Sequence, residues 1–274
     1  MNGGRLAALG LGVLSPVFLG AQAVALQIRP RAGDTLRLRI EQSVEVSGTT
    51  RKGNADLTNS ESHAMVALTR VAIEATDLAG ATVTAMTDSV HLTGTSGKPG
   101  GSLLGWAKAL EGQRFRFRIA VDGTPSMEGP GAGAAPHVGA FLAQLPASLP
   151  KEPVAPGSSW ERRMEIPMSA LSAARGTAVM TATFRLDSLG RGGNLAFLSV
   201  SGRLSRHAAP PVTGGATTVE ANGTVTGSVV VDRQRGWITD ARSTINVRSL
   251  VPGEKPDQPP MQVRVKITQW MRAK

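Results

Sequence analysis

The run LRLRIEQSVEV, residues Leu36 to Val46, decides how this chain is read. Its even positions are Leu36, Leu38, Ile40, Gln42, Val44 and Val46, and its odd positions are Arg37, Arg39, Glu41, Ser43 and Glu45. Successive side chains of a β-strand point to opposite faces, so a two-residue period of this kind marks a strand with one apolar and one solvated face. Gln42 is the single polar residue on the apolar parity.

The same period recurs outward from this run. A polar stretch at 47–62 is expected to be a loop. Met65 to Ala75 then resumes the pattern, Asp77-Leu78-Ala79-Gly80 turns, and Val83 to Leu92 returns, which predicts a long hairpin containing a bulge. Phe115, Phe117 and Ile119 alternate with Arg114, Arg116 and Arg118. In the second half Met180, Ala182, Phe184 and Leu186 alternate with polar neighbours, and after LGRGGN the chain returns through Ala196, Leu198, Val200 and Leu204. Val219, Ala221, Val225, Val229 and Val231 hold one parity through Asn222-Gly223, so one unbroken strand is expected there despite a turn-forming dipeptide. DRQRG turns the chain at 232–236, Trp237 to Val251 returns, and Met261, Val263, Val265 and Ile267 mark the last strand.

Apolar residues at helical spacing in 103–110 and 137–145 predict two short helices. The order of parts also repeats: GDTLRLRIEQSVEV corresponds to GSSWERRMEIPM, the hairpin of 63–92 to that of 178–206, and FRFRIAVDGTPSME to VVVDRQRGWITDA. The expected fold is therefore all-β with two short helices, its long antiparallel strands forming a curved sheet or open half-barrel, approximately duplicated. An N-terminal half at 26–150 and a C-terminal half at 151–274 would share one continuous domain, joined by the prolines between Pro146 and Pro156.

The first 25 residues read differently. Arg5 precedes an apolar run from Leu6 to Gly20, and small residues follow at Ala21, Ala23 and Ala25. This is the pattern of a cleaved signal peptide, with maturation expected after Ala23 or Ala25. The run is shorter than the ~20 residues that span a bilayer, so the expected product is periplasmic or extracellular with no transmembrane segment after cleavage.

Of 274 residues, 41% are hydrophobic, 18% charged and 4% aromatic, and there is no Cys or Tyr. That excludes a disordered polyelectrolyte and a disulfide-stapled mini-protein. A net charge of +10 invites an anionic partner such as a lipid head group or an envelope polymer. The charges are dispersed rather than blocked, and nucleic acid is not the expected partner. His63, His91, His137 and His207 have no metal-ligand spacing, GTSGKPGGS at 94–102 lacks the Lys-Ser/Thr ending of a phosphate loop, and no nucleophile motif occurs. No catalytic residue, metal or cofactor is expected, and the chain reads as non-enzymatic. The candidate ligand-binding residues are Trp106, Phe141, Trp160, Arg162 and Trp270, aromatic side chains together with a cation beside one of them.

Two segments carry a resemblance. LPASLPKEPVAPGSSW, residues 145–160, resembles secreted bacterial proteins of unknown function, and VVVDRQRGWITDARS, residues 229–243, resembles hairpins of periplasmic lipoprotein-carrier and related lipid-binding half-barrels. The resemblance implies a concave apolar face that holds acyl chains under a helical lid. Two functional expectations follow from the whole reading. One is a secreted protein that binds a lipid or other amphiphile in the concave sheet beneath 103–110 and 137–145. The other is a structural or interaction module that binds an anionic envelope polymer or a protein partner through its basic surface.

Overall fold

The computed structural model describes residues 23–52, 55–94, 110–127, 149–167, 177–206, 220–251 and 259–274. Eleven strands account for most of them: β1 Thr35–Lys52, β2 Ala55–Asp77, β3 Gly80–Gly94, β4 Arg114–Ala120, β5 Pro125–Met127, β6 Ser159–Pro167, β7 Thr177–Gly190, β8 Leu195–Arg206, β9 Glu220–Asp232, β10 Trp237–Val251 and β11 Met261–Ala273. They form one open antiparallel sheet in the order β5-β4-β3-β2-β1-β11-β10-β9-β8-β7-β6. The chain starts at the centre, meanders to one edge, crosses to the opposite edge and meanders back until β11 pairs with β1. β1–β5 and β6–β10 are thus wound in the same sense, as a duplicated unit requires, with β11 between them.

The two halves also share a detail. In the β2–β3 hairpin the register shifts between Ile73 and Ala75, and in β7–β8 between Leu186 and Ser188. Each bulge carries one acidic residue that accepts a hydrogen bond from a hydroxyl across the hairpin: Glu74 from Thr84 at 2.5 Å and Asp187 from Ser199 at 3.0 Å.

One face of the sheet is buried from β1 to β11 in a single core that includes Leu38, Ile73, Val83, Phe117, Phe184, Leu198, Val229, Ile245 and Ile267. The N-terminal segment 23–34 shows how a lone sheet achieves this. Ile28 N–H donates to the Val121 carbonyl beyond β4, and the next residue, Arg29, donates to the Gly236 carbonyl before β10. β4 and β10 stand five places apart in the sheet order, about 24 Å in a flat sheet at ~4.8 Å per strand. Adjacent residues reach both, so the sheet is rolled and its buried face is the inner one.

This segment is a strap across one end of the roll. Val24 exchanges both backbone hydrogen bonds with Val154, at 2.8 and 3.0 Å, and Gly33 N–H donates to the Ile73 carbonyl. Thr76 Oγ1 donates to the Pro30 carbonyl, and Arg233 reaches the carbonyls of Ala25 and Gly193. Leu26, Ile28 and Leu149 are 1–2% exposed and fill the interior at this end. Gly236 is required where the strap passes: its φ is +62°, and a Cβ there would lie 2.2 Å from the Arg29 carbonyl oxygen.

Several expectations are met. β2 and β3 turn at 77–80 with register shifts, β9 runs through Asn222-Gly223 unbroken, and Phe115 and Phe117 face inward while Arg114 and Arg116 face out. Within the polar stretch 47–62, residues 47–52 and 55–62 instead extend β1 and β2, paired out to Lys52↔Ala55. Ser and Thr suit a two-sided solvated ribbon, as in the Thr49–Thr58 hydroxyl pair at 3.0 Å, so polarity there does not mean loop. The proline-rich joint is more than a spacer between halves: Leu149 is buried and Val154 pairs with the strap. The two predicted helices lie outside the described residues except Leu110, which packs against the core.

Candidate functional site: the inner face of the rolled sheet

The two ends of the roll are built differently. At the strap end the chain reverses in tight turns: β2–β3, β4–β5, β7–β8 and β9–β10. At the other end β1–β2 projects as a ribbon, and the connections from β3, β6, β8 and β10 leave the described residues. Burial along β1 follows this polarity. Leu36, Leu38 and Ile40 are buried, Gln42 and Val44 are half-buried, and Val46 is 37% exposed. Its neighbour β2 behaves alike, from buried Ile73 and Val71 through Met65 to half-buried His63 and exposed Glu61, where His63 Nε2 lies 2.9 Å from a Glu61 oxygen. The inner wall is therefore sealed at the strap end and becomes accessible toward the ribbon along β1 and β2, whereas β10 and β11 stay buried through Val247 and Val265 at 4% exposure.

Cross-strand register places a polar row across the sheet at the level where β1 passes from buried to half-buried. Gln42 stands opposite Gln269, and Gln269 opposite Ser243. Ser243 faces Gly227 in turn. The rows to either side are aliphatic: Ile40, Met271, Ala241 and Val229 below, Val44, Ile267, Ile245 and Val225 above. Gln269 is 4% exposed, and its Nε2 has no hydrogen-bond partner among the described residues. A buried amide left unpaired costs ~1–3 kcal/mol, so this donor is the most informative polar atom on the inner face. The pattern is visible in the sequence: Gln42 interrupts the apolar parity of 36–46, and Gln269 extends that of 261–267. What a linear reading lacks is the register that sets them side by side.

Of the predicted ligand-binding residues, Trp160 and Arg162 share the inner side of β6. The Trp160 ring stacks on Phe184 at 5.9 Å between centroids, and Arg162 Nη2 donates to the Leu149 carbonyl at 2.8 Å. Arg162 Nε is buried with no partner among the described residues. Trp270 corrects the grouping. It has the parity opposite to Gln269 and Met271 and stands on the outer face, held between the guanidinium groups of Arg242 and Arg272 at 4.2 and 4.0 Å while its Nε1 donates to Asp240. Cation–π packing with an ion pair accounts for its half-burial. Trp106 and Phe141 lie outside the described residues.

The outer face is a lattice of exposed ion pairs. Glu74 pairs with Arg116 and Asp77 with Arg118. The Thr84 hydroxyl and then Arg116 hold Glu74 below its ordinary value, and Arg118 with the Ala79 amide does the same for Asp77. Arg37, Arg39, Arg70 and Lys274 line an outer cleft of about 490 Å³ with Asp88, which pairs with Arg70. Among the described residues, no three His, Asp or Glu side chains converge as a metal site. No described helix is long and apolar enough to cross a membrane.

Comparison with curated proteins finds no match. The resemblance that does emerge covers about a third of the chain, from the joint before β6 to the start of β10: residues 140–238 match the model of DUF6263, a family of unknown function.

Proposed function

We propose that this is a secreted, non-enzymatic binding protein that carries a lipid or other amphiphile against the inner face of its rolled sheet. The observation that carries the reading is the grading of that face. It is sealed by the strap at one end, while along β1 and β2 Val44, His63 and Val46 become progressively accessible at the other. An apolar surface of this kind suits an acyl chain entering from the ribbon end, because burying the chain gains ~25 cal/mol per Å² without disturbing the strap. The strap also bears on maturation. Cleavage after Ala25 would remove Val24 and both of its hydrogen bonds to Val154, whereas cleavage after Ala23 keeps them. Val24 is accordingly the proposed N-terminal residue of the exported protein.

The test is native mass spectrometry of the protein secreted with its own leader, before and after organic extraction. The expected result is an intact mass beginning at Val24 plus an extractable hydrophobic mass. A ligand-free protein that also fails to take up oleate or a neutral diacyl lipid from vesicles would overturn the carrier reading. The outer cleft of Arg37, Arg39, Arg70 and Lys274 favours a second reading, a module for an anionic envelope polymer. Binding to such a polymer would weaken steeply with added salt, whereas apolar ligand retention would not.

A further inference from the structure

We infer that the Gln42–Gln269–Ser243 row is a recognition notch for the uncharged carbonyl of an ester- or amide-linked lipid. The inference rests on the carrier reading and names the ligand class within it. Three features converge. Gln269 Nε2 is a buried donor with no partner among the described residues. Gln42, opposite Gln269 in the register, is half-buried, so the row reaches partly accessible wall at its β1 end. Gln42, Gln269 and Ser243 carry no charge, which suits a neutral acceptor better than a carboxylate or phosphate.

The flanking rows fit the rest of such a molecule. Side chains two residues apart on one face are about 7 Å apart along a strand. Ile40, Met271 and Ala241 close the row on the strap side, and the aliphatic row of Val44, Ile267 and Ile245 lies on the ribbon side, from which the chain extends. Opposite Ser243 stands Gly227, which adds no side chain to the row. A saturated hydrocarbon in the same place would leave the Gln269 amide unpaired, while an ester oxygen removes that penalty.

The experiment compares 1,2-dioleoylglycerol with its di-oleyl ether analogue, equal in chain length but lacking the carbonyls. Both are titrated into wild-type protein and the Gln269→Leu and Gln269→Met variants, with displacement of a fluorescent apolar probe as the readout. Wild-type protein should prefer the ester by about tenfold, the value of one hydrogen bond to an otherwise unpaired buried amide. In both variants the ratio should fall to about one with ether binding retained, and the lipid-free variants should melt no lower than wild type. Equal binding of ester and ether by wild type, or a preference that survives in both variants, would overturn the notch alone. Tighter binding of oleate than of the diester would overturn it too. If wild-type protein binds neither neutral lipid nor oleate, the carrier reading fails and the notch with it.

Discussion

The strap end and the ribbon end of the same sheet obey one β alternation and differ in what covers it. At the strap end Leu26, Ile28 and Leu149, none of them in a strand, seal the roll at 1–2% exposure, and backbone hydrogen bonds tie the strap to turns on both sides of the sheet. At the ribbon end the inward parity continues, yet Val46 is 37% exposed and Leu57, farther out on β2, is 53% exposed. Apolar parity alone therefore does not make a core. On β1 and β2 burial fades beyond the reach of the strap, while Val265 and Val247, level with Val46, remain 4% exposed.

Substitutions of matched chemistry at the two ends should separate them most widely. Leu26→Ala removes a side chain that plugs the sealed end and is expected to cost about 2–5 kcal/mol, whereas Val46→Ala at the accessible end should cost under ~1 kcal/mol in urea unfolding. Similar losses at both sites would show that the ends are equally packed. A smaller effect is expected at the point where the strap crosses β10. Gly236→Ala forces a Cβ toward the Arg29 carbonyl from a left-handed backbone, and should lower stability by about 2–3 kcal/mol with exchange protection lost first at Ile28 and Arg29.

The smallest effect is electrostatic and belongs to the outer face near the strap end. Glu74 and Asp77 are held below their ordinary values of 4.5 and 3.8. Carboxylates depressed in the folded state add stability above those values and lose it as pH falls through the lower folded ones. The melting temperature should thus decline as pH drops from about 5 toward 3, and less steeply in Glu74→Gln. Because both groups are exposed, the difference should be modest. An identical decline in wild type and variant would locate the acid sensitivity elsewhere.

Much of this was legible in the residues. The parity of Leu36–Val46, the turn at 77–80 and the continuity of β9 are local properties, set by side-chain alternation and by the Asp77 carboxylate accepting from the Ala79 and Gly80 amides. The ribbon of residues 47–52 and 55–62 was not legible, because Ser and Thr serve loops and solvated strands equally well. Nor was the strap. Val24, Leu26 and Ile28 alternate with Ala25, Gln27 and Arg29, but they follow an apolar leader and belong to no strand of the sheet, and the groups that bind and cover them lie more than 40 positions away. Half of the candidate site shares that fate: Gln42 is visible as an exception to its strand, but its partner lies 227 positions later.

The two-residue period by itself determined that the chain is a series of long antiparallel strands with one apolar face, since alternation is a property of each strand's own backbone. Only the tertiary structure decided that β11 closes against β1, that the strap seals one end of the roll, and that Gln42, Gln269 and Ser243 stand in one row. Those outcomes depend on register and curvature, which arise from hydrogen bonds between segments far apart in the chain and leave no periodic trace in either segment alone.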